Sequence, residues 1–237
     1  MQNDPTDISQ WNKYSSLYDK GKGQNGDDLH NNLIQPTLTK FIDNVSKKII
    51  LDAGCGNGFL ENQLAKDAED VIAIDSSTEL LNFAKSNVKQ DNVQFQLGDL
   101  TKKLDLKDNY FDLVISNMVL QYLPNLEIFA KEASRILKKN GFLIMFVDHP
   151  SHALFLRAQE LVGKKNEKFL NSDSYFKLGL RKKNSLWDKA VLQYYHRTIS
   201  DYLNVFSGLF QLAEMQEISD DGETPRILGV KWRKALT

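Results

Sequence analysis

Residues 49–60 read IILDAGCGNGFL. The apolar run Ile49-Ile50-Leu51 has the length of a buried parallel strand. The chain then turns polar at Asp52, passes Gly54, Gly56 and Gly58 at alternate positions, and resumes apolar at Phe59 and Leu60. A strand feeding a glycine-rich turn and then a helix is the layout of a nucleotide-binding βα unit. Missing side chains let backbone N–H groups approach a ligand, and positive φ carries no steric penalty there. A plain connecting turn would explain one pair of glycines, but not three in register behind an acid. The dinucleotide fingerprint G-x-G-x-x-G places its last glycine one position later. Here the pattern is D-x-G-x-G-x-G, and a carboxylate two places before the first glycine repels a pyrophosphate but suits a positively charged ligand.

Downstream, apolar runs alternate with helical patterns. Phe59, Leu60, Leu64, Ala65 and Ala68 predict the apolar face of a first crossover helix, and Val71–Ile74 a second strand ending on Asp75. Asp75 lies 17 positions beyond Gly58, where a ribose-binding carboxylate belongs in such folds. Ser76-Ser77-Thr78-Glu79 contains an S-x-x-E capping box for the next helix, which buries Leu80, Leu81, Phe83, Ala84 and Val88. Val93–Leu97 is a third strand closed by Gly98-Asp99-Leu100, and Tyr110–Ile115 a fourth ending at Ser116-Asn117. A helix through Leu126–Leu137 stops at Asn140-Gly141, and Phe142–Val147 is a fifth strand ending at Asp148-His149-Pro150. Every run ends on a polar residue: Asp52, Asp75, Asp99, Asn117 and Asp148. Open parallel sheets bind ligands outside the carboxyl ends of their strands, so these tips should ring one site.

S-adenosylmethionine carries a sulfonium and an ammonium and no phosphate, and the D-x-G-x-G-x-G stretch resembles the first motif of the class I S-adenosylmethionine-dependent methyltransferases. YFDLVISNMVLQYLPN and LKKNGFLIMF are similar to that family's fourth- and fifth-strand regions. His196-Arg197-Thr198 with Tyr202 resembles the H-R-T-x-x-x-Y segment of its small-molecule members. The resemblance implies an α/β, Rossmann-like, seven-stranded, mostly parallel sheet with helices on both faces and an antiparallel last strand. It implies S-adenosylmethionine as cofactor, held by Asp52, the loop Gly54, Cys55, Gly56, Asn57 and Gly58, then Asp75, Ser76 and Asn117. Asp99 would meet the adenine amino group and the Leu100 backbone the ring. An N-terminal Y-D pair folds over the cofactor in this family; Tyr18-Asp19 matches it, and Tyr14 lies one helical turn earlier.

With 237 residues the chain suits one domain: 1–30 an N-terminal lid, 31–150 the cofactor-binding core, 151–188 a substrate-lid insertion, and 189–237 the strands and helix that complete the sheet. Trp11, Tyr14, Leu17 and Tyr18 share one helical face; Gly21, Gly23 and Gly26 read as a mobile hinge; residues 29–45 look helical, starting near Pro36. In the insertion, Leu154, Phe155, Ala158, Leu161 and Val162 suggest a helix. Between Gly163 and Lys183, seven basic residues face Glu167 and Asp173, either as a solvated loop or to attract an anionic substrate. After it, Ile199–Phe210 reads as the last helix and residues 211–237 as a strand pair.

Thirty basic against 31 acidic residues, a net charge of −1, do not favour nucleic acid or an anionic membrane as partner. No apolar run reaches the ~20 residues of a membrane span. The polar start MQNDPTDISQ and a single cysteine point to a cytoplasmic protein, monomeric or homodimeric, without a metal site. Cys55 reads as a packing residue rather than a nucleophile.

The expected reaction is methyl transfer to O, N or C of a small-molecule acceptor. A general base is needed only for a protonated acceptor, and His149 and His196 are the candidates, with His152 a lesser one. The absence of N-P-P-Y after the fourth strand argues against adenine-N6 methylation. Two other classes remain open at this stage: a nicotinamide-dependent oxidoreductase, and a catalytically silent binding subunit on the same fold.

Overall fold

The computed structural model describes residues 9–152, 175–184 and 190–235. In chain order the elements are α1 (Ser9–Lys22), a π-helical turn (Leu29–Ile34), α2 (Gln35–Ile42), β1 (Ile49–Ala53), α3 (Glu61–Leu64), β2 (Asp70–Asp75), α4 (Thr78–Asn87), β3 (Val93–Leu97) and β4 (Phe111–Asn117). A 3₁₀ turn (Leu120–Tyr122), α5 (Leu126–Ile136), β5 (Leu137–Asp148), β6 (Gly179–Asn184), β7 (Val191–His196), α6 (Ile199–Ser207), β8 (Phe210–Ile218) and β9 (Ile227–Lys234) follow. Seven strands form one sheet in the order β3-β2-β1-β4-β5-β9-β8, while β6 and β7 form a separate hairpin. The strands from β3 to β5 run parallel; β9 runs antiparallel to both its neighbours. This is the Rossmann-like sheet expected from the sequence, with the last strand reversed.

The period of two in the strands divides the core. Leu51, Ala53, Ile72 and Val114 pack on one face with α5 and α6, while Ile50, Val71 and Ile115 pack on the other with α2 and residues 59–68. Asp52, two places from Ile50, therefore faces the α3 side. Because the strand order reverses at β1, its neighbours β2 and β4 send their connections to opposite sides, opening a crevice above its carboxyl end.

Several local expectations change. The crossover helix shrinks to Glu61–Leu64, although Phe59, Leu60, Leu64, Ala65 and Ala68 are all buried as expected. Ser77 rather than Ser76 caps α4, accepting the Leu80 N–H at 3.1 Å, because Ser76 is drawn onto the strand tip. α5 stops at Ile136, before Asn140-Gly141, since Leu137 already pairs with Phe111 of β4. Residues 29–34 wind as a π-helical turn before α2, whose first turn holds Pro36. The glycine segment after α1 is tied down rather than open: Gly21 lies inside the helix, the Gly23 carbonyl accepts Asn57 Nδ2 at 3.0 Å, and Gly26 packs on Phe59. The helix expected at residues 154–162 lies outside the described residues, as do Lys164, Lys165 and Lys168; Lys177, Arg181, Lys182 and Lys183 belong to the β6 strand and its approach.

Candidate functional site

The glycine turn is built first by the backbone. The N–H groups of Gly54 and Cys55 donate to the Ile74 carbonyl at 2.7 and 3.0 Å, clamping the turn to the end of β2. Gly54, Gly56 and Gly58 all have positive φ, +96°, +58° and +82°. Each is also crowded: a Cβ on Gly54 would lie 2.3 Å from Val119 Cγ2, one on Gly56 2.8 Å from the Tyr18 hydroxyl, and one on Gly58 3.1 Å from the Ala84 backbone. The glycines are thus required both by conformation and by close approach.

Asp75 fastens the turn from the side. Its Oδ2 accepts the Gly56 N–H at 2.9 Å and its Oδ1 the Ser77 N–H at 2.8 Å. Burial raises its pKa, and the N–H groups of Ser77, Gly56 and Ser76 oppose that rise. Asp75 and Ser76, with Asp99 and Leu100 from the end of β3 and with Gly54, line a small hollow of about 50 Å³. Asp99 accepts the N–H and hydroxyl of Thr101 at 2.9 and 2.6 Å and pairs with Lys102; burial works against its ionisation, but these partners hold its pKa below the usual carboxylate range.

A second cavity of about 410 Å³ opens on the other side of the same turn. Tyr18, Gly56, Asn117, His149 and His196 line it, and Trp11, Val119 and Tyr122 line both spaces and so form the neck between them. The remaining candidates line neither. Tyr14 has Lys13 over its ring at 5.0 Å. Cys55 is buried against Ala73 and Leu81, and burial pushes its thiol up, as suits a packing residue. Asn57 donates to Asp19 at 2.8 Å and to the Gly23 carbonyl; Gly58 packs on α4; Asp52 is buried behind the turn.

Helix α1 roofs the site. Asp19 accepts from Asn57 and Asn87, Asn12 accepts the Ser77 hydroxyl at 2.7 Å, and Gln10 exchanges two hydrogen bonds with the Gln193 backbone of β7. Trp11 meets Tyr122 edge-on, with centroids 4.9 Å apart. Burial, with Asp75 next, keeps the Tyr18 hydroxyl neutral.

The histidines differ in what they leave available. His149 has both ring nitrogens committed: Nε2 to Glu217 at 2.7 Å, Nδ1 to the Ser151 hydroxyl at 2.8 Å. His196 donates Nε2–H to the Tyr175 carbonyl at 2.8 Å, which leaves Nδ1 as the basic nitrogen, and burial lowers its pKa so that it is neutral at pH 7. His152 is arranged alike, bonded to the Pro225 carbonyl and lowered by burial, with no partner for Nδ1.

Three groups escaped the sequence reading. Glu61, fully buried, lies against Asp52. Lys22, Asp27 and His30 form a buried cluster on the cavity wall, with Lys22 to Asp27 at 2.8 Å and Asp27 to His30 at 2.7 Å; burial pulls Lys22 down to about 8 against the pull of Asp27. Lys183 of β6 pairs with Asp148, its ammonium 5.4 Å from the ring centres of both Tyr122 and Tyr194. Glu61 reads in sequence as an ordinary first-turn acid, and Lys22 as one more hinge lysine. For Lys183 the basic run was the only signal.

Residues 51–145 match a family model described as a methyltransferase domain. An uncharacterized protein of Haemophilus influenzae is 28% identical over 93% of this chain and 94% of its own length. A ubiquinone biosynthesis O-methyltransferase of Pelagibacter ubique is 28% identical over 50% of this chain, which spans about half (49%) of that relative. Among solved structures, a putative S-adenosylmethionine dependent methyltransferase from Listeria monocytogenes superposes with a TM-score of 0.69 at 22% identity, over 85% of this chain and 97% of that one. Residues 51–145 thus carry a methyltransferase domain, on the fold that S-adenosylmethionine-dependent methyltransferases share. Its cofactor is S-adenosylmethionine. The residues present fit that group: buried Asp52 Oδ1 finds no donor among the described residues, and the charged groups acting on Asp52 are acids rather than cations.

Proposed function

We propose that the protein transfers a methyl group from S-adenosylmethionine to an O, N or C atom of a small-molecule acceptor. The carrying observation is the paired hollow: a narrow acid-lined one at Asp75 and Asp99, and a roomy aromatic-walled one, joined through the neck at Trp11, Val119 and Tyr122. The narrow side suits the adenosine end, with Asp75 on the ribose and Asp99 and Leu100 at the base; the roomy side suits the acceptor. When bound, the cofactor supplies a methyl group already activated by the sulfonium. The protein's work is to align the two reactants and exclude water, which contributes up to about 7–11 kcal/mol. Helix α1 with Tyr18 closes the roof over Gly56, and the β6–β7 hairpin walls the far side with Tyr194, Tyr195 and Lys183. For a hydroxyl acceptor, His196 Nδ1 takes the proton, and its Nε2–H bond to Tyr175 holds the ring in the tautomer that can do so. His152 is the alternative base, whereas His149 is held as a strut between β5 and β8. The relative named as an O-methyltransferase favours oxygen as the attacked atom. Incubation with methyl-tritiated S-adenosylmethionine and a fractionated cell extract tests this. Label in low-molecular-weight products supports it; label only in protein or nucleic acid refutes it, and binding without transfer would mark a silent subunit.

A further inference from the structure

Behind the glycine turn sits a group the methyl-transfer reading does not use. Asp52 stands next to last in β1 facing the α3 side, and Glu61 opens α3, so two carboxyls with 2% and 0% exposure come within reach of each other. Glu61 acts on Asp52 by hydrogen bond, which lowers it, while Asp52 raises Glu61 both by charge and by hydrogen bond. Asp52 Oδ1 and both Glu61 oxygens find no hydrogen-bond donor among the described residues. Two carboxyls can bond to each other only if one carries a proton, and ionising both in this enclosure is opposed by burial and mutual repulsion.

Among the described residues, no cation acts on the pair. From β2 comes Asp75, whose charge also disfavours ionisation. The turn contributes the Cys55 thiol and α1 the Tyr18 hydroxyl, both kept neutral by burial. Lys22, the buried lysine of the roof, is held by Asp27. A cation must therefore arrive with the ligand. A ligand reaching from the Asp75–Asp99 hollow through the neck into the larger cavity passes Gly54, which lines the first, and Gly56, which lines the second, in the turn that follows Asp52.

We propose that Asp52 and Glu61 hold one proton between them in the free protein, and that seating the ammonium group of S-adenosylmethionine over the turn expels it to solvent. Glu61 is thereby a positioning residue that acts through Asp52. The ligand's charge replaces the proton's, the pair becomes dianionic, and buffer takes up the proton. By linkage, cofactor affinity rises with pH by up to about tenfold per unit while one proton is coupled.

The test is calorimetry of S-adenosylmethionine binding between pH 6 and 8 in two buffers of different ionisation enthalpy, which counts released protons without any acceptor or turnover. Release approaching one proton in the neutral range supports the proposal. 5′-Methylthioadenosine, which lacks the amino-acid end, should bind without release and with flat pH dependence. Glu61→Gln should bind S-adenosylmethionine with the release abolished; Asp52→Asn is the second variant should that protein not fold. Equal release by both ligands, no release with the wild type, or release retained in Glu61→Gln and Asp52→Asn would each overturn it. A complete failure to bind S-adenosylmethionine would overturn it together with the cofactor assignment on which it rests.

Discussion

Replacing Asp75 by asparagine removes one acceptor from a side chain that uses two. In the native protein Oδ1 and Oδ2 accept the N–H groups of Ser77 and Gly56 at 2.8 and 2.9 Å. Hydrogen bonds to a charged group contribute about 1.5–3 kcal/mol each. Asparagine keeps a single oxygen, so one N–H must face an amide NH₂, and a bond of that size is lost. The turn stays attached to β2, since Gly54 and Cys55 still donate to the Ile74 carbonyl, so the variant should fold. Its stability loss should be smaller than one full bond, because a buried acid beside Asp52 and Glu61 has gone. That relief does not help a cationic ligand, and the ribose loses its carboxylate. Affinity for S-adenosylmethionine should therefore drop at least about tenfold, or ~1.4 kcal/mol, and by more than stability drops. Urea unfolding of the apoprotein and calorimetric titration measure the two losses separately. Lower stability with unchanged affinity would refute the ribose role and leave Asp75 as a strut for the turn; tighter binding would refute the electrostatic reasoning altogether.

Further outcomes are expected. Gly54→Ala should destabilise by roughly 2–5 kcal/mol, from backbone strain at positive φ and from overpacking against Val119; Gly54→Ala with Val119→Ala should recover about 1–3 kcal/mol of that in urea unfolding, and equal midpoints would exclude the clash. His196→Gln should lower kcat by about 10²–10⁴-fold on a hydroxyl acceptor while leaving cofactor Kd unchanged; an unaltered kcat would remove it as base. Apoprotein stability should fall as pH rises, because the folded state raises Asp52 from 3.8 to about 7 and raises Glu61 as well, burial being the chief cause. That contribution is complete below about pH 4 and lost as pH passes through about 7. Melting temperatures measured from pH 5 to 8 should decline less steeply in Glu61→Gln than in the wild type, and parallel slopes would contradict the shift.

The glycine turn and the strand-tip acids were legible because their signals are local: a strand, three glycines and an acid at fixed spacing, then acids at successive strand tips. Asp75, Ser76, Asp99 and Leu100 meet in one hollow as that spacing implies. Periodicity could not show that Asp75 spends its oxygens on the turn itself, or that Asn57 serves as a peg for α1, since both depend on the turn's three-dimensional path. The acceptor half was barely legible. The larger cavity joins α1, the π-helical turn, the ends of β4 and β5, the β6–β7 hairpin and the start of β9, segments from Trp11 to Ile227 whose side chains carry no shared spacing. His149 and His196 looked equivalent as letters; only their partners, Glu217 and Ser151 in one case and a backbone carbonyl in the other, separate them.

The reversed direction of β9 has a consequence for how this molecule can change. Because the strand runs backwards, its first residue, Ile227, is in register with Asp148 at the last position of β5, and the Arg226 carbonyl takes the His149 N–H at 2.9 Å. Arg226 and Ile227 thus line the larger cavity and not the Asp75–Asp99 hollow. The C-terminal hairpin is a place where acceptor preference can be rewritten by a few substitutions, leaving the donor machinery, some 170 residues earlier in the chain, untouched.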